Sequence, residues 1–288
     1  MSPSIHEILS TQTPLLAAAL SLTATDARHE INYLLQACLK VNRAYLLAHS
    51  ERVLTESECD DFQAKLLRRL LGEPMAYILG EREFFGLNFK VTPATLIPRP
   101  DTELLVEMAL AKISGSPSSG EPFRVLDLGT GSGAIALSIA HSCPEVQVTA
   151  VDFSAAALNV ARENGQRLGL NNVSFIESDW FSALAGLRFD LIISNPPYIS
   201  ARDEHLVQGD VRFEPLTALV SGVDGLADIR QIARKAGAHC QPNASLLLEH
   251  GYQQAAEVRA ILSRAGWLAV GSAEDLSGIE RVSFGKWN

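Results

Sequence analysis

An α/β fold, with an open sheet and crossover helices behind a small all-α N-terminal domain, is what this 288-residue chain predicts. Three observations carry the expectation. From Arg124 onward, short apolar runs alternate with stretches of helical periodicity. Residues 1 to about 75 show helical spacing and no strand pattern. Between the two lies an aromatic segment with Gly and Asn near its centre, the form of a β-hairpin. The implied boundaries are a helical domain over 1–75, a β-hairpin linker over 76–97 and an α/β domain over 98–288. The length suits two unequal domains.

In the helical part, Ile31, Leu34, Leu35, Cys38 and Leu39 recur at helical spacing. Thr55-Glu56-Ser57-Glu58 has the form of a capping box, which satisfies the first free N–H groups of a helix. The stretch after it sets Phe62, Leu66, Leu67, Leu70 and Leu71 toward one side, with Gly72 as a stop and Pro74 beyond it. No catalytic cluster occurs here, so this part reads as a bundle that packs or recognises something. Phe84 to Val91 is the hairpin. Pro98-Arg99-Pro100-Asp101-Thr102-Glu103 opens a helix to about Ile113, and Ser114 to Pro122 is a Gly-, Ser- and Pro-rich surface loop. Strands follow at 125–128, 146–151, 173–176, 189–194, 245–249, 268–270 and 281–284. Helices follow at 134–141, 154–168, 227–238 and 255–265. Leu191-Ile192-Ile193 is a continuous apolar run, as a strand buried on both faces requires.

Composition narrows the function. The chain is 47% apolar and 20% charged, ordinary for a globular protein. It has no run of about eighteen apolar residues, which argues against a membrane span. Met1 to Pro14 lacks a basic start followed by an apolar core, so a cytoplasmic location is expected. Cys38, Cys59, Cys143 and Cys240 lie far apart, with no metal-ligand spacing and no disulfide framework. No metal is expected. A net charge of −9 argues against direct nucleic-acid binding and suits a small-molecule or protein partner.

Asp127-Leu128-Gly129-Thr130-Gly131-Ser132-Gly133 follows a strand and precedes a helix. Glycine allows positive φ there and lets a ligand approach the backbone without meeting a Cβ. Gly131-x-Gly133-x-x-Ala136 also permits a loose reading as a nicotinamide-dinucleotide turn. Asp152, ending the second strand, can accept from both ribose hydroxyls of either a dinucleotide or S-adenosylmethionine. Asp179-Trp180, ending the third, offers an acceptor and a flat ring where an adenine would lie. That set is consistent with a nucleoside lacking a pyrophosphate. Trp180 has core packing as its plain alternative.

Ser194-Asn195-Pro196-Pro197-Tyr198 follows the fourth strand and is the most specific feature of the chain. Successive prolines fix φ and remove two backbone donors. The Asn195 side-chain oxygen and the Pro196 carbonyl remain as acceptors. An amide or arylamine nitrogen shares its lone pair with its π system and is a poor nucleophile. Two acceptors that take both of its N–H hydrogens fix its orientation and turn the lone pair toward an incoming methyl. Tyr198 can stack on the planar group.

These segments together resemble the HemK/PrmC-type protein-(glutamine N(5)) methyltransferases that act on peptide chain release factors. The resemblance covers nearly the whole chain, including Phe213-Glu214-Pro215 and Glu249-His250-Gly251. It implies a Rossmann-like class I methyltransferase domain using S-adenosyl-L-methionine and yielding S-adenosyl-L-homocysteine. Gly129 to Gly133, Asp152, Asp179, Trp180 and Asn195 would hold the cofactor. Asn195, Pro196, Pro197 and Tyr198 would hold the glutamine of a Gly-Gly-Gln motif, with Asn195, Pro196 and Tyr198 catalytic. Arg99 would line the channel near the methyl, and the helical domain would dock the release factor. Ser132 stands where some relatives have threonine. Arg99 has an ion pair with Asp101 or Glu103, or a bond to a carbonyl, as its alternative role, and Glu214 and Glu249 a structural one. The same Asn-Pro-Pro-Tyr turn occurs in adenine N(6) methyltransferases of nucleic acids, which is the alternative function.

Overall fold

A computed structural model describes residues 2–116 and 120–288. The chain forms two compact units. One is Met1–Gly80 with Val207–Phe213, the other Glu81–Leu206 with Glu214–Asn288. Among the described residues, no helix is long and apolar enough to cross a membrane.

The first unit is helical: α1 (Ile5–Leu20), α2 (Ala24–Leu39), α3 (Arg43–Ala48), α4 (Glu56–Leu70) and α5 (Met75–Leu79). Its core gathers Ile5, Leu16, Ile31, Leu34 and Leu35, all fully buried. The expected capping box starts α4: Thr55 N donates to Glu58 Oε2 at 2.9 Å and Glu58 N to Thr55 Oγ1 at 3.3 Å. A second, unforeseen box at Ser4 and Glu7 starts α1. The expected apolar face of α4 is wider than the real one. Phe62 and Leu66 are buried, but Leu67 and Leu71 are 59% and 68% exposed. Each sits one residue, about 100°, around the helix from the buried row. Arg69 on α4 is buried and held bidentate by Glu30 at 2.7 and 2.9 Å, with Asp210 at 3.1 Å. Such a charge is tolerated inside only because it is paired and hydrogen-bonded.

The second unit opens with a hairpin, β1 (Glu81–Phe84) and β2 (Leu87–Lys90). It is narrower than the expected 76–97, because Met75–Leu79 is helical. Its two-residue loop is Phe85-Gly86, both at positive φ (52° and 74°), and Asn88 lies in β2 instead. Phe84 and Phe89 are buried in this unit's core. Pro100–Thr102 is a 3-10 turn leading into α6 (Glu103–Ser114). Of the expected surface loop 114–122, Ser114 ends α6 and residues 117–119 lie outside the described residues.

There follow β3 (Arg124–Leu128), α7 (Ala134–Ser142), β4 (Gln147–Asp152), α8 (Ala155–Arg167), β5 (Val173–Glu177), β6 (Phe189–Ser194), α9 (Ala227–Ala236), β7 (Cys240–Glu249), α10 (Ala255–Arg264), β8 (Leu268–Glu274) and β9 (Glu280–Lys286). The seven strands lie in the order β5-β4-β3-β6-β7-β9-β8. β3 to β7 pair in parallel, and β9 runs antiparallel to both β7 and β8. Alternation along β6 feeds two cores. Leu191 and Ile193 join Val125 and α7 on one face; Ile192 joins Leu126, Leu246 and α9 on the other. Each fully buried aliphatic side chain contributes roughly 1.5–3 kcal/mol. The last three strands are longer than their apolar cores indicate. β7 begins at Cys240, but Pro242 and Asn243 (φ 68°) interrupt it, and the register slips between Phe189 and Leu191. Likewise Gly237 and Ala238, expected in a helix, fall in a 3-10 turn, Gly237–His239, after α9.

Candidate active site

Strand order brings the motifs together. The glycine turn follows β3, Asp152 ends β4, Asp179-Trp180 follow β5, and Asn195 to Tyr198 follow β6. β3 and β6 are neighbours although far apart in sequence, and the order reverses there. In open α/β sheets, the crevice beyond the strand carboxyl ends at such a reversal is where ligands bind. A cavity of about 340 Å³ lies there, lined in part by Gly129, Gly131, Asp152, Asp179, Trp180, Asn195 and Pro197.

The glycine turn divides its work. Gly129, Gly131 and Gly133 have φ of 74°, 56° and 84°. Gly129 N and Thr130 N both donate to the Val151 carbonyl at 2.9 Å, fastening the turn to β4. A Cβ on Gly131 would meet no protein atom, so the missing side chain leaves room in the cavity. A Cβ on Gly133 would lie 2.9 Å from Leu137 Cδ1, so this glycine serves helix packing. Gly133, Thr130 and Ser132, expected at the cofactor, do not line the cavity. Thr130 is buried and donates to Asp127 Oδ2 at 2.6 Å. Burial pushes the Asp127 carboxyl up to about 7, against the hydrogen bonding from Thr130 and the Ala136 backbone. Ser132 is also buried, and its carbonyl accepts from Asn164 Nδ2 at 2.9 Å. The Asn164 amide in turn brackets both backbone groups of Lys90, at 2.7 and 3.0 Å. The sequence offers no signal for Asn164: a polar residue within a helical stretch reads as surface.

Asp152 reaches the cavity with its carboxylate oriented by two backbone donors, Gly131 N and Ser154 N, each at 2.9 Å. Burial raises its pKa. Trp180 lines the cavity and also packs against the core, so the two readings of it coexist. It takes φ of 50°, rare for a bulky residue, with its carbonyl held by the Ser178 hydroxyl at 2.8 Å. Its ring would lie 3.6 Å from a Cβ on Gly129. Phe153, 60% exposed, is a further cavity residue that sequence reasoning missed.

Around the Asn-Pro-Pro-Tyr turn, Asn195 and Pro197 line the cavity, whereas Pro196 is buried and Tyr198 lies outside the lining. Burial, then the nearby Glu249 carboxyl, push the Tyr198 phenol well above its ordinary range. Gln254 Nε2 donates to the Tyr198 carbonyl at 3.0 Å. Asn195 Nδ2 donates to Thr102 Oγ1 at 3.2 Å. Arg99 does not line the cavity either, and its expected partners are engaged elsewhere. Asp101 pairs with Arg281 at 3.1 Å, and Glu103 accepts from Phe85 N at 3.0 Å. Arg99 instead pairs with Glu214, whose buried carboxylate also accepts from Ile97 N at 3.1 Å. Glu214 thus holds the 97–99 segment in place.

Comparison with known proteins identifies the framework. The family model of the methyltransferase small domain matches residues 101–211, and that of the PrmC N-terminal domain matches residues 15–80. The release factor glutamine methyltransferase of Bordetella pertussis is 51% identical over 259 residues, covering 90% of this chain and 94% of that protein. Those of Xylella fastidiosa (strain Temecula1) and Escherichia coli (strain K12) are 48% and 46% identical, over 94% and 90% of this chain and 96% and 92% of theirs. The chain belongs to the release factor glutamine methyltransferase family. Solved structures with the same fold include the hMettl16 catalytic domain in complex with MAT2A 3'UTR hairpin 1 (TM-score 0.58, 15% identity, 90% and 91% of the two chains). A methyltransferase from Pyrococcus furiosus (TM-score 0.52, 18% identity, 78% and 96%) is another.

This release factor glutamine methyltransferase family member therefore has a class I methyltransferase sheet, and its cavity can be tested against the cofactor. Asp152, Asp179 and Asp228 line it, and among the described residues no Lys or Arg does. A pyrophosphate would meet three carboxylates and no cation there, whereas a sulfonium with an ammonium group is favoured. The donor set fits S-adenosylmethionine and disfavours the dinucleotide reading of the glycine turn.

Proposed function

We propose that this protein transfers the methyl group of S-adenosyl-L-methionine to the side-chain amide nitrogen of the glutamine in the Gly-Gly-Gln motif of peptide chain release factors. One observation carries the reading: Asn195, the head of the acceptor-rich turn, lines the same acidic cavity as Asp152 and Trp180. The identity to release factor glutamine methyltransferases over about nine-tenths of the chain supports glutamine over adenine as the planar nitrogen.

The cofactor supplies an electrophilic methyl on a sulfonium, and leaves as S-adenosyl-L-homocysteine. Asp152 accepts from the ribose hydroxyls, its orientation already set by Gly131 N and Ser154 N. Trp180, Phe153 and Asp179 serve the adenine end, and Gly131 leaves room that the nucleoside needs. Asn195 Oδ1 and the Pro196 carbonyl accept the two amide hydrogens of the substrate. This fixes its nitrogen and favours pyramidalisation, so the lone pair faces the methyl. Positioning of this kind is worth up to about 7–11 kcal/mol in favourable cases. No strong base is required before transfer, because the methylated nitrogen becomes acidic and loses its proton afterwards. Tyr198 packs the base of the turn, Arg99 with Glu214 secures the neighbouring segment, and the helical unit docks the release factor. A translation factor as substrate places the enzyme in the cytoplasm.

The test uses methyl-labelled cofactor, the protein and a release factor, run beside the same factor with its motif glutamine changed to alanine. Label is expected only in the unaltered factor. Label in both overturns the site, and label in neither overturns the function. Adenine-containing nucleic acid replaces the factor in a further arm, where incorporation would favour the adenine N(6) reading.

A further inference from the structure

The hydrogen-bonding polarity of Asn195 is not set by the Asn-Pro-Pro-Tyr turn itself. A side-chain amide carries one acceptor and two donors, and the two ends exchange by a half-turn of the group. If the NH2 end faced the substrate amide, two sets of donors would meet and the nitrogen would not be held. Something outside the turn must select which end points inward.

Thr102 stands in the position to do this. It is 5% exposed, at the end of the 3-10 turn Pro100–Thr102 and at the N-cap of α6. A threonine there ordinarily turns its hydroxyl onto the first free N–H groups of the helix. Here it makes no such bond. Its Oγ1 instead accepts from Asn195 Nδ2 at 3.2 Å. A hydroxyl can accept from Asn195 only while its own proton is directed elsewhere. The Glu249 carboxyl, 2% exposed at the end of β7, is a group that the Thr102 side chain influences by hydrogen bonding. Burial raises the carboxyl pKa, and hydrogen bonding from Thr102 and, more weakly, from Tyr198 opposes that rise. Asp101 and Arg281 act on the same carboxyl with opposite signs. Among the described residues nothing donates a hydrogen bond to Glu249 Oε2, so it holds spare acceptor capacity.

We propose that Thr102 is a positioning residue for methyl transfer: its hydroxyl donates toward Glu249 and accepts from Asn195 Nδ2, which turns Asn195 Oδ1 toward the substrate amide. The inference rests on the role given to Asn195 above. It adds what makes that role directional, and places the selector outside the sequence motif.

The experiment compares Thr102→Val, Thr102→Ala and Thr102→Ser in the full chain, with release factor as substrate and Asn195→Ala beside them. Valine keeps the shape and removes the hydroxyl. Loss of a bond that orients a reacting group predicts a fall in kcat of about 10–100-fold for both Val and Ala. KM for the release factor and Kd for the cofactor should stay within about 3-fold. Thr102→Ser, which retains the hydroxyl, should return kcat to within about 3-fold of the parent. Thr102→Val placed on Asn195→Ala should cost no further turnover, since the two act as one unit. A kcat near the parent in Val or Ala overturns the proposal, as does a Ser variant as slow as Val. If Val does not fold, as judged by its thermal transition, Ala and Ser decide. If Asn195→Ala itself keeps parental turnover, the reading of the site fails. If Asn195→Ala is slow while Thr102→Val is fast, only the present inference fails.

Discussion

The two turns at the neighbouring ends of β3 and β6 use opposite means to the same end. The glycine turn works by missing atoms. Gly129 and Gly131 take positive φ, with open space where a Cβ on Gly131 would stand, while Thr130, Ser132 and Gly133 face inward to fasten the turn. The Asn-Pro-Pro-Tyr turn works by fixed atoms, with two rings limiting φ and an amide held by Thr102. The first makes room for a ligand and the second aims at one. A ligand-binding loop can therefore be conformationally extreme yet chemically plain, whereas a positioning loop must hold particular atoms at particular places.

Four substitutions sharpen or break this contrast. The largest effect belongs to the aiming turn. Asn195→Ala should lower kcat roughly 10²–10³-fold, the scale for losing one preorganised hydrogen-bonding group. Cofactor affinity should stay within a few-fold by calorimetry, and equal loss of both would erase the distinction between the turns. Gly133→Ala comes next. It adds a Cβ 2.9 Å from Leu137 Cδ1 at φ of 84°, and should cost about 2–4 kcal/mol of stability, from overpacking and left-handed backbone together. A thermal melt close to the parent's would show that Gly133 is not a packing glycine. Asp152→Ala should raise the cofactor Kd about 10–100-fold, the worth of a charge-assisted bond, with kcat at saturation little changed. A collapse of saturated turnover would give Asp152 a part in the chemistry.

The fourth concerns stability against pH. Burial holds both Asp127 and Glu249 up at about 7, far above their unfolded values. Between about pH 4 and 7 the folded protein retains protons that the unfolded chain has lost. Stability is therefore full below that window and declines as pH rises through it, by at most about 1.4 kcal/mol per pH unit for each group. Glu249→Gln should remove one group's share and flatten the dependence of melting temperature on pH from 5 to 7. A slope unchanged from the parent's would mean that Glu249 is ionised throughout.

Much of this was legible in the chain. The helix cap at Thr55, the apolar run of β6 and the glycine and proline turns all depend on neighbours within a few residues. Elements set by long-range pairing were harder to read. β7 starts five residues before its apolar core because Cys240 pairs with Phe189, across an interruption that reads locally as a turn. Leu67 looked like a core residue because a leucine on a helix carries no label for which face is covered. Phe153 and Asn164 gave no warning, since a phenylalanine is usually buried and a helical asparagine usually solvated.

By itself the sequence determined which local conformations are possible and which chemistry they suit. Positive φ requires glycine, fixed φ requires proline, and a reluctant planar nitrogen calls for paired acceptors. Only the tertiary structure decided which side chains share a space. The order β5-β4-β3-β6 puts four distant turns around one acidic cavity, sends Arg99 to Glu214, and brings Thr102 against Asn195, 93 residues away along the chain. The physical reason is that backbone preferences act over a few residues, whereas hydrogen-bond partners and desolvation depend on which chain segments the sheet makes adjacent.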